Sequence, residues 1–408
     1  MRIGSCAVAV CAVLCVQAGA GVADAQTRML TLAEILTRAR EQAPQIVSAR
    51  LALEETRGRL LGASLRFQSN PEIDAGVGPR QGTGSRFTDL EIGLSQRFEP
   101  GSRRSARIAS ANAAIAQGSA DVDEITRVVL RSAAAAYYRT VHANQRIRLL
   151  NATQELAAGV YSVADRRFRA GDIAVLDVNI ARASLARVRA EREAAESAKA
   201  LALGDLKQLL RLDEDIAVEG ELGRLPEADL TATLQAALQR PELRALEAAV
   251  QEAEAQARLG DAYAKPDYGL GLRYSREQGD QIVLGGMTVT LPVFSKGQEL
   301  SAVGAARATR LRAELDAART RVRVEVRTGF EAYNRRLAAV RVLETEAIPG
   351  LDENETLSTR SFEVGQLGLP ELLLIRREIV DTRSQYLDAL LEAALARIDL
   401  DASAAILR

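Results

Sequence analysis

Histidine, cysteine and methionine, the side chains that most often bind soft metals or act as nucleophiles and bases, are scarce in this sequence. His142 is its only histidine, so a histidine-based metal cluster is excluded and no catalytic triad is indicated. The three cysteines all lie within the first 15 residues, and only three methionines occur, too few for a relay of soft-metal ligands. No Walker sequence for nucleotide phosphates is present. The sequence therefore predicts no enzyme, no metal site and no cofactor, and we expect His142 to be an ordinary packed or solvated side chain.

The first residues have the layout of a secretory signal peptide. Arg2 supplies a positive charge, residues 7–16 are apolar, and Ala23, Asp24 and Ala25 form a small-x-small cleavage site. We therefore predict a signal peptide over residues 1–25 and a mature chain that begins near Gln26. Because every cysteine lies in that leader, the exported chain would contain no disulfide and no thiolate metal site.

Composition narrows the class of protein further. The sequence has 53 Lys and Arg against 54 Asp and Glu, and this balance argues against a nucleic-acid partner. Tryptophan is absent and aromatic residues make up only 4%. Such a composition is more typical of long helices packed through small residues than of a thick globular core.

The longest-range pattern is a duplication, in which four features recur about 195 residues further along the chain. The pairs are Asn70-Pro71-Glu72 with Lys265-Pro266-Asp267, Phe98-Glu99-Pro100-Gly101 with Phe294-Ser295-Lys296-Gly297, the Tyr138 region with the Tyr333 region, and Phe168-Arg169-Ala170-Gly171 with Phe362-Glu363-Val364-Gly365. A repeat of this length indicates two copies of a whole subdomain. We predict a first repeat over residues 26–210, a connector over 211–229 and a second repeat over 230–408.

Each repeat predicts a long helical hairpin. Residues 102–170 contain no proline and read as one helix of roughly 100 Å at 1.5 Å per residue. Gly171 ends it, and a return helix runs to about residue 210. In the second copy the outgoing helix covers residues 298–364, Gly365 turns the chain, and the return helix starts at Pro370. Pro349 interrupts this outgoing helix, so we expect a kink or break there.

Short alternating segments precede each hairpin and predict two pairs of strands, joined by polar loops over residues 78–86 and 275–280. Their apolar sets are Ile73, Ala75 and Val77; Leu90, Ile92 and Leu94; Tyr268, Leu270, Leu272 and Tyr274; and Met287, Val289, Leu291 and Val293. The apolar face would cover a soluble core or contact lipid in an outer-membrane barrel. Aligning Phe98 with Phe294 puts the apolar faces of the copies one residue out of step, which a bulge or a one-residue shift would repair.

An exported chain with two copies of a strand pair and a giant helical hairpin resembles the TolC family of outer-membrane efflux ducts. The residues that carry the resemblance are Leu30-Thr31-Leu32-Ala33-Glu34, Ser69-Asn70-Pro71-Glu72, Ser95-Gln96-Arg97-Phe98-Glu99-Pro100-Gly101 with Arg103-Arg104, and the glycine turns of both hairpins. The last of these features look closest to the CzcC-like branch, which is associated with heavy-metal efflux.

The resemblance implies a mainly α fold with a small β part, assembled as a homotrimer in the cell outer membrane. Three chains would contribute four strands each to a shared 12-stranded transmembrane β-barrel, and their hairpins would form an α-barrel tunnel into the periplasm. The implied partners are outer-membrane lipid, a periplasmic adaptor and an inner-membrane pump of the RND type. Solutes, including divalent metal cations, would pass through passively.

The resemblance also implies where function concentrates. Gly171 and Gly365 would form the periplasmic tips, and in the family acidic residues early on the second return helix narrow the aperture. Glu371 falls on such a position, Asp177 is its first-copy counterpart, and the family's second acidic position is Leu374 here. The candidates for adaptor contact at the tips are Phe168, Ala170, Gly171, Phe362, Val364, Gly365 and Leu367.

Two other classes of protein stay open at this point. Long hairpins alone also fit a soluble periplasmic coiled-coil scaffold or adaptor, although four amphipathic strands fit that class poorly. An enzyme is a more distant alternative, because the sequence contains no catalytic constellation. The exported solute, the cognate pump and the resting state of the aperture are not indicated by any residue pattern.

Overall fold

The computed structural model describes residues 28–81 and 86–407; the predicted signal peptide over residues 1–25 lies outside these described residues. Its first half contains β1 (Arg28–Leu30), α1 (Leu32–Gln42), α2 (Pro44–Ser64), β2 (Glu72–Gln81), β3 (Arg86–Phe98), α3 (Gly101–Arg169) and α4 (Val175–Leu210). Its second half contains β4 (Ile216–Val218), α5 (Leu230–Ala237), α6 (Pro241–Ala262), β5 (Asp267–Glu277), β6 (Asp280–Thr290), α7 (Gln298–Val342), α8 (Leu351–Glu363) and α9 (Leu369–Ser403).

Local signals explain how the leading helices begin. Thr31 caps α1 in a capping box, in which its backbone N–H donates to the Glu34 carboxylate at 2.8 Å. Pro44 and Pro241 stand in the first turns of α2 and α6, where the missing N–H costs no helical hydrogen bond. In the second copy the Asp229 carboxylate caps α5 instead, accepting from the N–H groups of Thr231 and Ala232.

The first hairpin is long because nothing in its sequence stops it. Helix α3 runs for 69 residues, which is about 100 Å. Its buried positions are mostly small, including Ala106, Ala113, Ala120, Ala133 and Ala136. Small side chains let α4, α6 and α9 approach closely, and α3 contacts all three.

The outgoing helix of the second hairpin is broken, which confirms the expectation at Pro349. Helix α7 ends at Val342, a π-helical turn follows over Leu343–Ala347, and a 3₁₀ turn over Ile348–Gly350 leads into α8. Proline has no N–H and its ring clashes with the preceding turn, so the regular hydrogen-bond ladder cannot pass through this point. Helix α9 then begins at Leu369, with Pro370 in its first turn as predicted.

The four long strands form one antiparallel sheet in the order β2-β3-β5-β6. Its register places Ile73 opposite Leu94, Leu94 opposite Leu272, and Leu270 opposite Met287. Because directly paired residues share a face, all four apolar sets lie on the same side of the sheet. The strands extend further into the joining segments than the predicted loops over residues 78–86 and 275–280 allowed.

The prediction of the fourth strand was wrong at its C-terminal end. Strand β6 ends at Thr290, so Leu291 and Val293 lie beyond it, and Phe294 is four residues past the strand. In the first copy β3 includes Phe98 and only two residues separate it from α3, whereas residues 291–297 separate β6 from α7. The copies therefore end differently, and aligning Phe98 with Phe294 caused the apparent one-residue mismatch.

Helices continue the sheet in a single row, in which α2 packs on α3, α3 on α6, and α6 on α7. The segment between the halves is held against this row by two tyrosines at matching positions of the repeat. The Tyr137 hydroxyl donates to the carbonyl of Glu219 at 3.0 Å, and the Tyr333 hydroxyl donates to that of Pro226 at 2.6 Å. Over residues 28–81 and 86–407, no helix is both long enough and apolar enough to cross a membrane.

Candidate functional site

The polar face of the sheet is a concave, charged surface. A groove on this side is lined by side chains that include Glu72, Asp74, Ser95, Arg97, Asp267, Arg273 and Thr288. Arg273 pairs with Glu91 at 2.8 Å across neighbouring strands. At the end of the sheet away from the helices, Arg80 pairs with Asp89 at 2.6 Å and with Glu277 at 2.8 Å, which ties three strands together. A charged concave face of this kind fits the lining of a water-filled passage.

The opposite face is apolar and uncovered. Ile73 is 76% exposed and Met287 is 68% exposed, and the rows between them are also open. Among the residues that the structure describes, no further strand pairs with the outer edges of β2 and β6, and four strands are too few to close on themselves. Such a surface needs lipid or protein to cover its apolar face, and it also needs further strands to pair with its edges.

Arg103 joins the helices to the sheet, a role that its place in the sequence motif did not indicate. Its buried guanidinium donates to the carbonyl oxygens of Ala262 at 3.2 Å and Lys265 at 2.7 Å, and it pairs with the Asp267 carboxylate. It also lies 4.4 Å from the centre of the Tyr263 ring. One side chain of the first copy thus anchors the entry to β5 of the second. The motif showed Arg103 at the start of a helix, but its partners lie about 160 residues away in sequence.

At the other end of the molecule, two glycine turns form the hairpin tips as predicted. Gly171 has φ of +84° and Gly365 has φ of +76°, a left-handed conformation that side chains with a Cβ disfavour. Each glycine closes the outgoing helix through backbone hydrogen bonds, such as that from the Gly171 N–H to the Phe168 carbonyl at 2.9 Å. Both tips are exposed.

The structure divides the candidate tip residues into two groups. Phe362 and Leu367 pack into a cluster with Val160, Val178 and Leu372, which joins the two hairpins. Phe168, Ala170 and Val364 are exposed instead. The sequence interpretation missed two further exposed apolar side chains beside the first turn, Val175 and Leu176. Their position directly after a glycine turn was the signal that could have identified them.

Asp177 and Glu371 occupy the same position on the two return helices, the third residue after the cap. The Glu371 carboxylate accepts a hydrogen bond from the Gly368 N–H at 2.7 Å, so it is engaged in its own turn. Carboxylates in the first turn are also stabilised by the helix dipole. Glu371 is exposed and Asp177 is half-buried. The structure therefore assigns both residues a helix-start role, and it leaves the Glu371 side chain at the surface of the tip.

His142 belongs to an ion-pair cluster between the hairpins. Its Nε2 lies 2.8 Å from the Asp388 carboxylate on α9, and Arg146 donates to the same carboxylate at 3.0 Å. The hydrogen bond with His142, together with the charge of Arg146, lowers the pKa of Asp388 below its ordinary value. Among the described residues, no group of three or more histidine, cysteine, aspartate or glutamate side chains could hold a metal ion.

Comparisons with known proteins find matches that cover almost the whole chain. The family model described as "Outer membrane efflux protein" matches residues 35–210 and 233–405. The cobalt-zinc-cadmium resistance protein CzcC of Cupriavidus metallidurans is 24% identical over 382 residues, covering 91% of this chain and 89% of that protein. Protein CyaE of Bordetella pertussis is 27% identical over 320 residues, covering 74% of this chain and 67% of CyaE. The crystal structure of CusC superposes with a TM-score of 0.77 at 16% identity, covering 93% of each chain.

Proposed function

The chain belongs to the outer membrane efflux protein family, also known as the TolC family, and on that premise we propose that it is the outer-membrane duct of a tripartite efflux system. Family membership makes it a non-enzymatic transport protein of the outer membrane that extends into the periplasm. In the proposed system a periplasmic adaptor and an inner-membrane pump of the RND type supply the driving force. The duct itself conducts solutes passively.

The observation that carries this proposal is the two-sided sheet. Its apolar rows all face one way and are exposed, its polar face is concave, and within residues 28–81 and 86–407 both of its edges are unpaired. Three copies of a four-stranded sheet would give a closed barrel of twelve strands, with the apolar rows against lipid and the charged face against water. The row of helices below it ends in α2 and α7, which would meet their neighbours in the same trimer.

We also propose the division of the chain that the duplication suggests. A signal peptide over residues 1–25 precedes a first structural repeat over 26–210, a connector over 211–229 and a second repeat over 230–408. Two similar sectors per chain would let a trimer approximate six-fold symmetry around the passage. The tyrosine contacts to the segment between the halves support this division, because they come from matching positions of the two copies.

A planar-bilayer experiment tests the duct. Purified protein should run as a trimer and open ohmic channels in a planar bilayer, and it should fractionate with the outer membrane. Recovery only in the soluble periplasm, with no channel activity, would instead support the alternative of a periplasmic scaffold or adaptor. As a matched control, a variant with charged residues at Leu270 and Met287 should fail to insert while keeping its helical content, because both side chains lie on the exposed apolar face.

For the tips, we propose that Phe168, Ala170, Gly171, Val364 and Gly365 contact the adaptor. The exposure of the three apolar side chains supports this role. Phe362 and Leu367 would act indirectly, since they hold the two tips together. Introducing Asp at Val364 should weaken adaptor binding in a pull-down assay without changing the conductance of the isolated duct. An unchanged adaptor affinity would contradict the assignment.

We propose that three Glu371 carboxylates narrow the aperture and favour cations, with Asp177 in a lesser role. Glu371→Gln removes the charge but keeps an oxygen that can accept from Gly368, whereas Glu371→Ala removes both. If the charge narrows the aperture, both variants should raise single-channel conductance and lower the preference for cations over anions. If only the cap matters, Glu371→Ala alone will differ from the native protein. Asp177→Asn is the matched control and should change conductance least.

The proposed cargo is a divalent metal cation. The relative CzcC is described as a cobalt-zinc-cadmium resistance protein, and this chain matches it over nearly its full length. With a single histidine and few methionines, the duct itself would select little among metals, so the pump would do so. Cells that lack the gene should become sensitive to cobalt, zinc or cadmium and recover on complementation. Unchanged metal tolerance with increased sensitivity to organic toxicants would contradict a metal cargo.

A further inference from the structure

The segment between β6 and α7 is unlike its counterpart in the first copy, and we infer that residues 291–294 form a lipid anchor. They would insert into the periplasmic leaflet of the outer membrane, at the level of the phospholipid headgroups. This inference rests on the proposed barrel, because it needs the sheet to lie in a membrane. The segment sits at the helix-facing end of the sheet, which is the periplasmic side in that arrangement.

The difference between the copies begins with an aromatic pair. Phe98 packs edge-to-face on Phe67, with ring centres 5.5 Å apart. The matching residues of the second copy are Phe294 and Tyr263, but Phe294 is 91% exposed. Tyr263 is instead covered by the Arg103 guanidinium at 4.4 Å. The ring of Tyr263 thus has a different partner, and among the residues that the structure describes the large apolar ring of Phe294 is left almost fully exposed.

The neighbours of Phe294 are apolar and exposed, like the outward row of the adjoining strand. On β6 the outward apolar row uses odd-numbered residues, including Met287 and Val289. Leu291 and Val293 follow directly after the end of this strand, and they are 66% and 60% exposed. The groove on the concave polar face is lined by Thr288 and Thr290 but not by residues 291–294. These positions indicate that the segment belongs to the lipid side and not to the passage.

The chemistry of the segment favours lipid over a second protein chain. An aromatic ring followed by an amine suits the membrane interface, where the ring lies among the upper acyl chains and the amine reaches the phosphates. Phe294 is followed by the exposed Lys296, and the exposed Lys265 lies at the start of β5 beside it. The occupant would be an anionic or zwitterionic phospholipid headgroup with its adjoining acyl carbons.

Because the sequence contains no tryptophan, a single introduced indole reports on this segment without background. The full-length protein carrying Phe294→Trp is reconstituted in phosphatidylcholine–phosphatidylglycerol vesicles, with and without bromine on the upper acyl carbons. Bromine quenches indole fluorescence only on contact. Met287→Trp, on the outward apolar row, is the positive control, and Phe362→Trp, at the hairpin tip, is the negative control. Leu291→Trp repeats the test at a second exposed position.

We expect Phe294→Trp and Leu291→Trp to lose fluorescence in brominated vesicles as strongly as Met287→Trp, while Phe362→Trp is unchanged. If Met287→Trp is quenched and both segment variants are not, the anchor is overturned while the barrel stands, and the segment then packs on a neighbouring chain. If Met287→Trp is also unquenched, the barrel itself fails. Equal quenching in vesicles of brominated phosphatidylcholine alone would show that a zwitterionic headgroup is sufficient, in accord with the inference.

Discussion

Arg103 is the single side chain whose loss should most affect the joint between the two halves. We predict that Arg103→Met loosens the entry to β5 while the long hairpins stay intact. Methionine keeps much of the side-chain length, so the change removes the charge and the donors more than the volume. Two carbonyl oxygens and the Asp267 carboxylate then lose a buried partner.

The size of the effect follows from these contacts. Removing one member of a buried ion pair costs about 3–5 kcal/mol, and hydrogen bonds to charged groups contribute about 1.5–3 kcal/mol each. Asp267 is 36% exposed and can recruit water, so the lower limit applies and we expect about 3 kcal/mol. Since about 1.4 kcal/mol corresponds to a factor of ten, local opening should become roughly 100-fold more frequent. Arg103→Lys, which keeps the charge but not the planar fork of donors, should give an intermediate result.

Hydrogen–deuterium exchange of the reconstituted protein measures this opening directly. Peptides that cover residues 262–277 should exchange roughly 100-fold faster in the variant, and peptides from α4 should not change. Arg104→Met is the matched control, because Arg104 is exposed and donates to the Ser64 carbonyl at the other end of the joint. Equal exchange over residues 262–277 in both variants would refute the anchoring role of Arg103.

Two further changes test the packing of the helices. A Cβ at Gly304 would come within 2.6 Å of the Ala257 backbone nitrogen. Gly304→Ala should therefore force α6 and α7 apart and lower the denaturation midpoint, at a cost of about 1–3 kcal/mol in the free energy of unfolding. The control is Gly329→Ala on the same helix, where a Cβ would make ordinary contacts, and it should be neutral or stabilising by up to about 1 kcal/mol. The lowered pKa of Asp388 stabilises the folded state at pH above about 3.9, its ordinary value, and that stabilisation disappears as pH falls through the folded-state pKa. His142→Leu removes its chief cause, so this variant should be less stable than the native protein at pH 7, and urea titrations should show the difference shrinking below about pH 4.

Much of the fold could be read from short stretches of sequence. The break at Pro349, the reversals at Gly171 and Gly365 and the start of α9 beside Pro370 depend on interactions within one or two turns, and each was predicted correctly. The strands were identified because alternation is also local. The error over Leu291 and Val293 has the same origin, since the alternation continues in the sequence after the hydrogen-bonded strand has ended.

The candidate site was less accessible to sequence reasoning. Glu371 and Asp177 were identified through the family resemblance as acidic residues early on the return helices, but the hydrogen bond from the Gly368 N–H to Glu371 became visible only in three dimensions. Phe168 and Phe362 looked alike in the two motifs, yet one is exposed and the other packs between the hairpins. Burial at the tips depends on how the two hairpins meet, and no local pattern specifies that.

The sequence by itself determined the duplication, the two hairpins, the four amphipathic strands and the near absence of histidine, cysteine and methionine. These properties follow from periodicity, backbone preferences and composition, which act over neighbouring residues. Only the tertiary structure decided that all four apolar rows share one face, that Arg103 anchors the second copy, and that Phe294 is left uncovered where Phe98 is packed. Each of these depends on which distant residues come into contact. The two copies differ here because Arg103 of the first copy lies over the ring of Tyr263 in the second, whereas Phe67 of the first copy packs on Phe98.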